Sequence, residues 1–417
     1  MRDYQGMQFN NTFRGCDPGD YNACVGNNGQ PSYTEYANGY VDASIHLIDI
    51  AIENQTMDEL IYPICFNMRH AIELRLKQFV FALGYIRDSI DLKDFRDTSM
   101  HDLGQIWRYY KNKASMVDSR ILNMLVEFEA IIQDFEGIDA TGQVFRYPYS
   151  TDRNKHLVDV GIINVVHLKG QFLRLQRYLE GVHRLNNELS LEYGTGTYTK
   201  FLSRLDLKNI SECLPQHSLW TSDLDGCLKI KTEIMDTYSI SSNEFGIAKR
   251  IIEAHHQFAK NVGLTIPLKN SKLSEWLNVF KAYFSVQEEE NSLESDLEGI
   301  LPFSAVTLEA IDDYFLRMHR AEAYCLKNIS VEAFIDIFCV YECGRHGGAY
   351  SEYYRTVYDG EIQFADRHFT CAEERREYVH YVLAKTNFIQ CAVRGLRMLG
   401  QEEILTTLAE KFTIVGV

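Results

Sequence analysis

The sequence predicts an all-α protein of two helical domains, and three observations carry the prediction. The 417 residues include only 7 prolines and 26 glycines, so breakers are sparse and long helices are favoured. Apolar residues recur at helical spacing in one segment after another. The segments are joined by short polar stretches, which make neighbours antiparallel in the manner of a bundle. At roughly 150 residues per domain the length suits two or three domains with a large core. The division expected is 1–195, a helical bundle with a loop-rich N-terminal extension, and 196–417, a second helical domain.

Residues 1 to 34 come first. Arg14 to Gly29 are dense in Gly, Asn, Asp and Pro, which describes a loop or hairpin. Cys16 and Cys24 lack a second pair or a nearby histidine and read as buried thiols, without a metal. From Tyr36 to about Glu53, apolar positions at Ala37, Tyr40, Val41, Ile45, Ile48 and Ile52 predict a helix. A second helix is expected after Tyr62-Pro63, with proline in its first turn. Its apolar stripe is Ile72, Leu76, Phe79, Val80 and Leu83, and Gly84 marks its end.

The polar side of that helix carries Arg69, Glu73 and Lys77, each four residues from the next, so an acid stands between two bases. That face is a candidate ligand-binding surface, and its plainer reading is a solvated ladder of ion pairs. Further on, His101-Asp102-Leu103 precedes Ile106, Trp107 and Tyr110, and His101 reads as a cap. One amphipathic helix is expected from Ile121 to Phe135 and one from Val165 to Leu189. Between them Phe145-Arg146-Tyr147-Pro148 forms an aromatic, basic, helix-ending element. Tyr193-Gly194-Thr195-Gly196-Thr197 looks like the domain boundary.

Taken together, Ala71-Ile72-Glu73-Leu74-Arg75-Leu76-Lys77, His101-Asp102-Leu103 and Phe145-Arg146-Tyr147-Pro148 resemble the HEPN superfamily of helical bundle proteins over about residues 36–190. The resemblance implies a HEPN-like antiparallel bundle. It also implies either a metal-independent endoribonuclease of prokaryotic anti-phage defence or toxin systems, or a non-catalytic partner. Catalytic members carry an arginine and a histidine with four to six residues between them, usually paired across a dimer, so a homodimer is expected if the site is present. After Arg146 the next histidine is His156, too distant for that motif. Matching intervals occur at Arg96 and His101, Arg177 and His183, Arg250 and His255, and Arg375 and His380. Arg250 and His255 lie on an amphipathic helix whose double histidine reads as surface. Arg375 and His380 open the last long helix, the setting closest to the motif, and are the expected catalytic pair. Histidine would act as general acid or base or orient the ribose 2′-hydroxyl, and arginine would hold the scissile phosphate. No metal or other cofactor is required.

In the second half, Leu202-Ser203-Arg204-Leu205-Asp206-Leu207 reads as a capped helix start, Leu214-Pro215 as its end, Ser241-Ser242-Asn243 as capping types before another helix, and 287–299 as an acidic solvated stretch. Cys339, Cys343 and His346 fall at helical spacing but lack a fourth ligand, and the nearby glycines are expected to break the helix. Core packing followed by a turn is the plain reading of this segment. In the other, the backbone of Gly344 to Gly348 with Arg345 and His346 approaches a phosphate, while Tyr350, Tyr353, Tyr354 and Arg355 stack on bases. No Walker loop, GxSxG elbow, HExxH or Rossmann fingerprint occurs.

The net charge of −16 and pI near 5.3 exclude nucleic-acid binding by bulk electrostatics and leave only a local basic groove. Ten cysteines without a CxxC pattern and no leader-like opening lead to a reducing cytoplasm. No window reaches the 18 or more apolar residues of a membrane helix. Two functions stand at this point. One is an RNA-cleaving effector using Arg375 and His380. The other is a non-catalytic module binding a nucleotide or a partner protein through Arg69, Glu73, Lys77 and Arg146.

Overall fold

The computed structural model describes residues 12–96, 99–287, 308–346, 350–368, 371–412 and 414. Among them are seventeen α-helices and no strand, the all-α class that the spacing of apolar residues predicts. The chain divides into two compact units, 1–191 and 192–417. The division falls inside the last turn of the helix Val165–Gly194.

In the first unit, α1 (Tyr33–Asn54) opens on a capping box, in which Ser32 accepts from Thr34 and Glu35 reaches back to Ser32. Before it lie loop and a single 3₁₀ turn at Gly19–Tyr21. Cys16 and Cys24 are exposed there, a correction to their expected burial: a turn-rich segment has no apolar face to cover them. Helix α2 (Met57–Ile86) starts six residues before Pro63. Acidic Asp58 and Glu59 suit the first turn, and Pro63 is exposed, so water can satisfy the carbonyl that its missing N–H leaves unpaired. Helix α1 packs along α2. Ile72, Leu76, Phe79, Val80 and Leu83 are all fully buried with Trp107, Tyr110, Phe128 and Phe172. Each such apolar side chain contributes roughly 1.5–3 kcal/mol.

Asp102, rather than His101, caps α3 (Leu103–Ala114) by accepting from the Gln105 amide at 2.8 Å. The expected helix from Ile121 to Phe135 is two: α4 (Ser119–Leu125) and α5 (Glu129–Asp139). They are parted at Phe128, whose φ of −133° leaves the helical region. Its ring is buried against Trp107, so packing sets the break. Helix α6 is Val165–Gly194.

The second unit comprises α7 (Arg204–Cys213), α8 (Leu224–Tyr238), α9 (Ser242–Ala254), α10 (His256–Ala259), α11 (Leu273–Gln287), α12 (Leu308–Asn328), α13 (Val331–Arg345), α14 (Tyr353–His368), α15 (Ala372–Leu383), α16 (Phe388–Met398) and α17 (Glu402–Lys411). Ser203 and Ser241 cap α7 and α9, as their residue types predict. Ile210, Ala248, Ile252 and Phe258 belong to one apolar cluster. Trp276, Phe280, Met318, Val382 and Phe388 belong to a larger one around α13. The acidic positions 288–299 lie outside the described residues.

Two expectations fail in this unit for packing reasons. Helix α9 ends at Ala254, and His255 is the cap of α10, its Nδ1 accepting from the Phe258 amide at 3.3 Å. His255 is therefore buried, where the spacing of Arg250 and His255 suggested a surface helix. Gly344 does not break α13. A Cβ at Gly344 would strike the Cys391 carbonyl, and one at Gly395 the Val340 carbonyl. The two glycines let α13 and α16 cross backbone to backbone.

Candidate functional site

The polar face of α2 is buried: Arg69, Glu73 and Lys77 are all nearly inaccessible. A solvated ladder is thus the wrong picture, because loops cover this face. The Arg69 guanidinium donates to Glu73 and to the carbonyls of His101, Asp139 (3.1 Å) and Ala140 (2.6 Å). Lys77 Nζ lies 2.8 Å from Glu73 Oε1 and His101 Nδ1 2.9 Å from the same oxygen. Burial pushes the Glu73 carboxyl up, but hydrogen bonds from His70 and Lys77, the charge of Arg69 and the contact with His101 together hold it well below the carboxylate range. Gly142, at φ +75°, brings its backbone against the guanidinium, with a would-be Cβ 3.2 Å from Arg69 Cζ. Arg69 thereby ties two segments distant in sequence to α2.

Arg146 is exposed beside this network. Its Nε donates to the Gly142 carbonyl, and its guanidinium lies 5.5 Å from the Phe66 ring centre and 5.6 Å from that of Tyr147. Of the four residues expected on this face, only Arg146 meets solvent freely.

Arg345 and His346 close α13, both on Glu342 Oε2 at 2.9 and 3.5 Å. Gly344 is buried in the helix crossing, so its backbone is not offered to a phosphate; Gly347 and Gly348 lie outside the described residues. Tyr354 is also unavailable for base stacking, since it is buried and donates to Asp336. Burial pushes the Cys343 thiol up to about 12. No group of three or more His, Cys, Asp or Glu positioned to hold a metal lies among the described residues.

His380 leads to an arrangement that spacing did not reveal. Glu322 on α12 is 2 % exposed. Its Oε1 takes His380 Nδ1 at 2.7 Å, and its Oε2 takes Arg376 Nε at 2.6 Å and His319 Nδ1 at 3.2 Å. Arg376 also touches the His319 ring. The three bases remain open, with side chains 45 % (His380), 39 % (Arg376) and 55 % (His319) exposed. Burial raises the Glu322 carboxyl, but hydrogen bonds from Arg376, His380 and His319 outweigh it and hold it below its ordinary value. Glu322 is therefore a fixed anion that orients two imidazoles and a guanidinium toward water.

Arg375 does not join this carboxylate. Five residues of helix put about 140° between Arg375 and His380, whereas Arg376 and His380, four apart, share a face. Arg375 is exposed and lines a cavity of about 70 Å³ with Cys325, Ile329, Phe334, Tyr378 and Val379. The missed residues had a signal: His319 and Glu322 three apart on one amphipathic helix, Arg376 and His380 four apart on another. Nothing in the sequence pairs those helices.

A third buried carboxylate, Glu352, takes Arg204 through both oxygens at 2.8 and 2.9 Å and His255 Nε2 at 2.9 Å. Burial raises this carboxyl, and His255 and Arg204 more than reverse it. All three side chains are largely enclosed, which makes this a structural tie.

Fold and site define an all-α protein with a solvent-facing His–Glu–Arg–His centre on α12 and α15. Compared with protein-family models, with curated proteins and with solved structures, the chain matches none. No helix among the described residues is long and apolar enough to cross a membrane.

Proposed function

We propose that the chain acts on RNA as a metal-independent endoribonuclease, a HEPN-like effector of bacterial anti-phage defence or toxin type, with its reaction centre at His380. The observation that carries this reading is the anchoring of His380 through Nδ1 by buried Glu322. A ring that donates from Nδ1 keeps Nε2 as a proton acceptor. In the proposed step His380 Nε2 takes the proton of a ribose 2′-hydroxyl. The 2′-oxygen bonds to phosphorus, the bond from phosphorus to the 5′-oxygen breaks, that oxygen takes a proton from water, and the proton held on His380 neutralises the hydroxide left behind. The products are a 2′,3′-cyclic phosphate and a 5′-hydroxyl. Arg376 is committed to Glu322 and positions the imidazoles. Arg375, which has no hydrogen-bond or ion-pair partner among the described residues, supplies the guanidinium for the phosphate.

The test is cleavage of total RNA by purified protein in EDTA, with end-group analysis. His380→Ala is expected to lower the rate by about 10²–10⁴-fold, the usual worth of a general base, with an unchanged melting curve. Equal cleavage by wild type and His380→Ala overturns the assignment.

A second reading, a non-catalytic module binding a nucleotide or partner protein, is favoured by the exposed guanidinium of Arg146 between Phe66 and Tyr147. Nucleotide binding lost in Arg146→Ala, with no RNA cleavage by any form, would select it. A homodimer pairing two copies of the centre belongs to the first reading, and sedimentation of the purified protein tests it.

A further inference from the structure

We infer that the hairpin loop around Tyr149 and Lys155 in the first unit is a binding site for single-stranded nucleic acid, its tyrosines stacking on bases and its arginine and lysine holding phosphates. The inference stands on the first unit alone and goes beyond the reaction centre proposed above, which lies in the second. Backbone geometry is the first argument. Residues 140–164 join α5 to α6 without a helix, and an ordered connection longer than about 15 residues is usually functional. Here the chain doubles back on itself. Tyr149 and Lys155 form an antiparallel bridge, the Ser150 amide donates to the Asn154 carbonyl at 2.8 Å, and the His156 amide donates to the Pro148 carbonyl at 3.1 Å. Residues directly opposite in such a pair project from the same face, so one ring and one ammonium stand side by side.

Exposure is the second argument. Tyr149 is 58 % exposed and Tyr147, two residues earlier, 53 %. Arg153 and Lys155 are exposed as well, and neither has a side-chain hydrogen bond or ion pair among the described residues. Arg153 takes φ +63° at the end of a turn that its amide closes on the Ser150 carbonyl at 2.9 Å. Glycine or asparagine is the ordinary choice at such a left-handed position. An arginine held there with its guanidinium uncommitted points to a use for the side chain.

Chemistry selects the ligand. Exposed rings alone would suit a peptide or a sugar. Rings interleaved with uncommitted cations suit a chain that alternates flat rings with anions, and a polynucleotide is such a chain. Its bases must leave their own stack before a tyrosine can take them, which selects a single strand over a duplex. Residues 144–157 carry Arg146, Arg153 and Lys155 against Asp152 alone, a local positive charge on a chain of net charge −16. The attraction is therefore short-ranged and falls with salt.

The experiment is fluorescence anisotropy of the full-length protein with three labelled probes: a twelve-nucleotide 2′-O-methyl uridine strand, its thymidine DNA counterpart, and a DNA duplex of the same length. None offers the 2′-hydroxyl that the proposed cleavage requires. Tyr149→Ala should weaken both single strands about tenfold, while Tyr149→Phe, which keeps the ring, should bind as wild type does. Arg153→Ala combined with Lys155→Ala should lower the slope of log affinity against log salt by about 1.4, at about 0.7 per phosphate contact. The duplex should bind about tenfold more weakly than either strand. Tighter binding of the ribose analogue assigns the site to RNA, and tighter binding of the thymidine strand assigns it to DNA. Absence of binding at low salt, strand binding that no variant changes, equal losses in Tyr149→Phe and Tyr149→Ala, or a duplex bound as tightly as a strand overturns the inference. RNA cleavage by the wild type with strand binding indifferent to Tyr149 overturns the site and leaves the reaction centre standing. Strand binding lost in Tyr149→Ala, without RNA cleavage by any form, keeps the site and sinks the reaction.

Discussion

Glu73 in the first unit and Glu322 in the second are built alike and exposed differently. Each is a buried carboxylate ringed by bases, and each is held below the ordinary carboxylate range by them. Around Glu73 the permanent cations Arg69 and Lys77 are themselves buried, and Arg69 spends its remaining donors on backbone carbonyls of two other segments. Around Glu322 all three bases reach solvent. A buried charge cluster whose members are all satisfied specifies one arrangement of the chain. The same carboxylate with exposed partners instead orients side chains toward water. In the proposed reading, burial of the cations, rather than the identity of the residues, separates the staple at Glu73 from the reaction centre at Glu322.

The comparison can be broken most readily at Arg69. Arg69→Ala takes one cation from buried Glu73, which keeps Lys77 and His101, and removes a donor from the carbonyls of His101, Asp139 and Ala140; it is expected to cost about 3–5 kcal/mol, measured by urea unfolding of the full chain. A loss below about 1 kcal/mol would mean that the network does not hold the first unit. Next comes Gly344→Ala, where the collision is with backbone and no rotamer relieves it; a cost of about 1–3 kcal/mol is expected. That result would show that the helix crossing contributes to the stability of the second unit. Consistent with this, Glu322→Gln should lower stability by about 1 kcal/mol while abolishing most RNA cleavage, since a neutral amide no longer fixes both imidazoles.

The helical class, the apolar stripe of α2, the capped start at Ser203 and a capping stretch at 241–243 were legible because period and capping chemistry are local. Burial of the polar face of α2 was not. Arg69, Glu73 and Lys77 have the spacing of a surface ladder, and the return of His101 and residues 139–142 over them turns it into an interior. The Glu322 centre was half legible. His380 stood out on its helix, but the partner carboxylate is 58 residues away, and the arginine interval tried, five residues to Arg375, selected the neighbour of the arginine that shares Glu322. Gly344 misled in the opposite sense: a glycine in a helix reads as a breaker, and here it serves close packing.

The smallest effect expected concerns pH. Glu73, Glu352 and Glu322 all titrate below their usual 4.5 when folded. An unfolded chain therefore binds protons at these sites before the native one does. Their contribution to stability is complete above about pH 4.5 and is lost as pH falls through the folded values. Urea midpoints should be level in this respect from pH 7 to about 5 and decline below it, with a shallower acid limb in Glu73→Gln. An acid limb identical to wild type in that variant would remove Glu73 from the account.

The most direct test of the division between staple and reactive centre is a matched pair, His101→Ala and His380→Ala, each removing a half-exposed imidazole from a buried glutamate. RNA cleavage in EDTA and the urea midpoint would be measured on both. The account predicts that His380→Ala loses cleavage with its midpoint nearly unchanged, and that His101→Ala keeps full cleavage. Cleavage lost in His101→Ala and retained in His380→Ala would place the chemistry at the first unit and contradict the assignment.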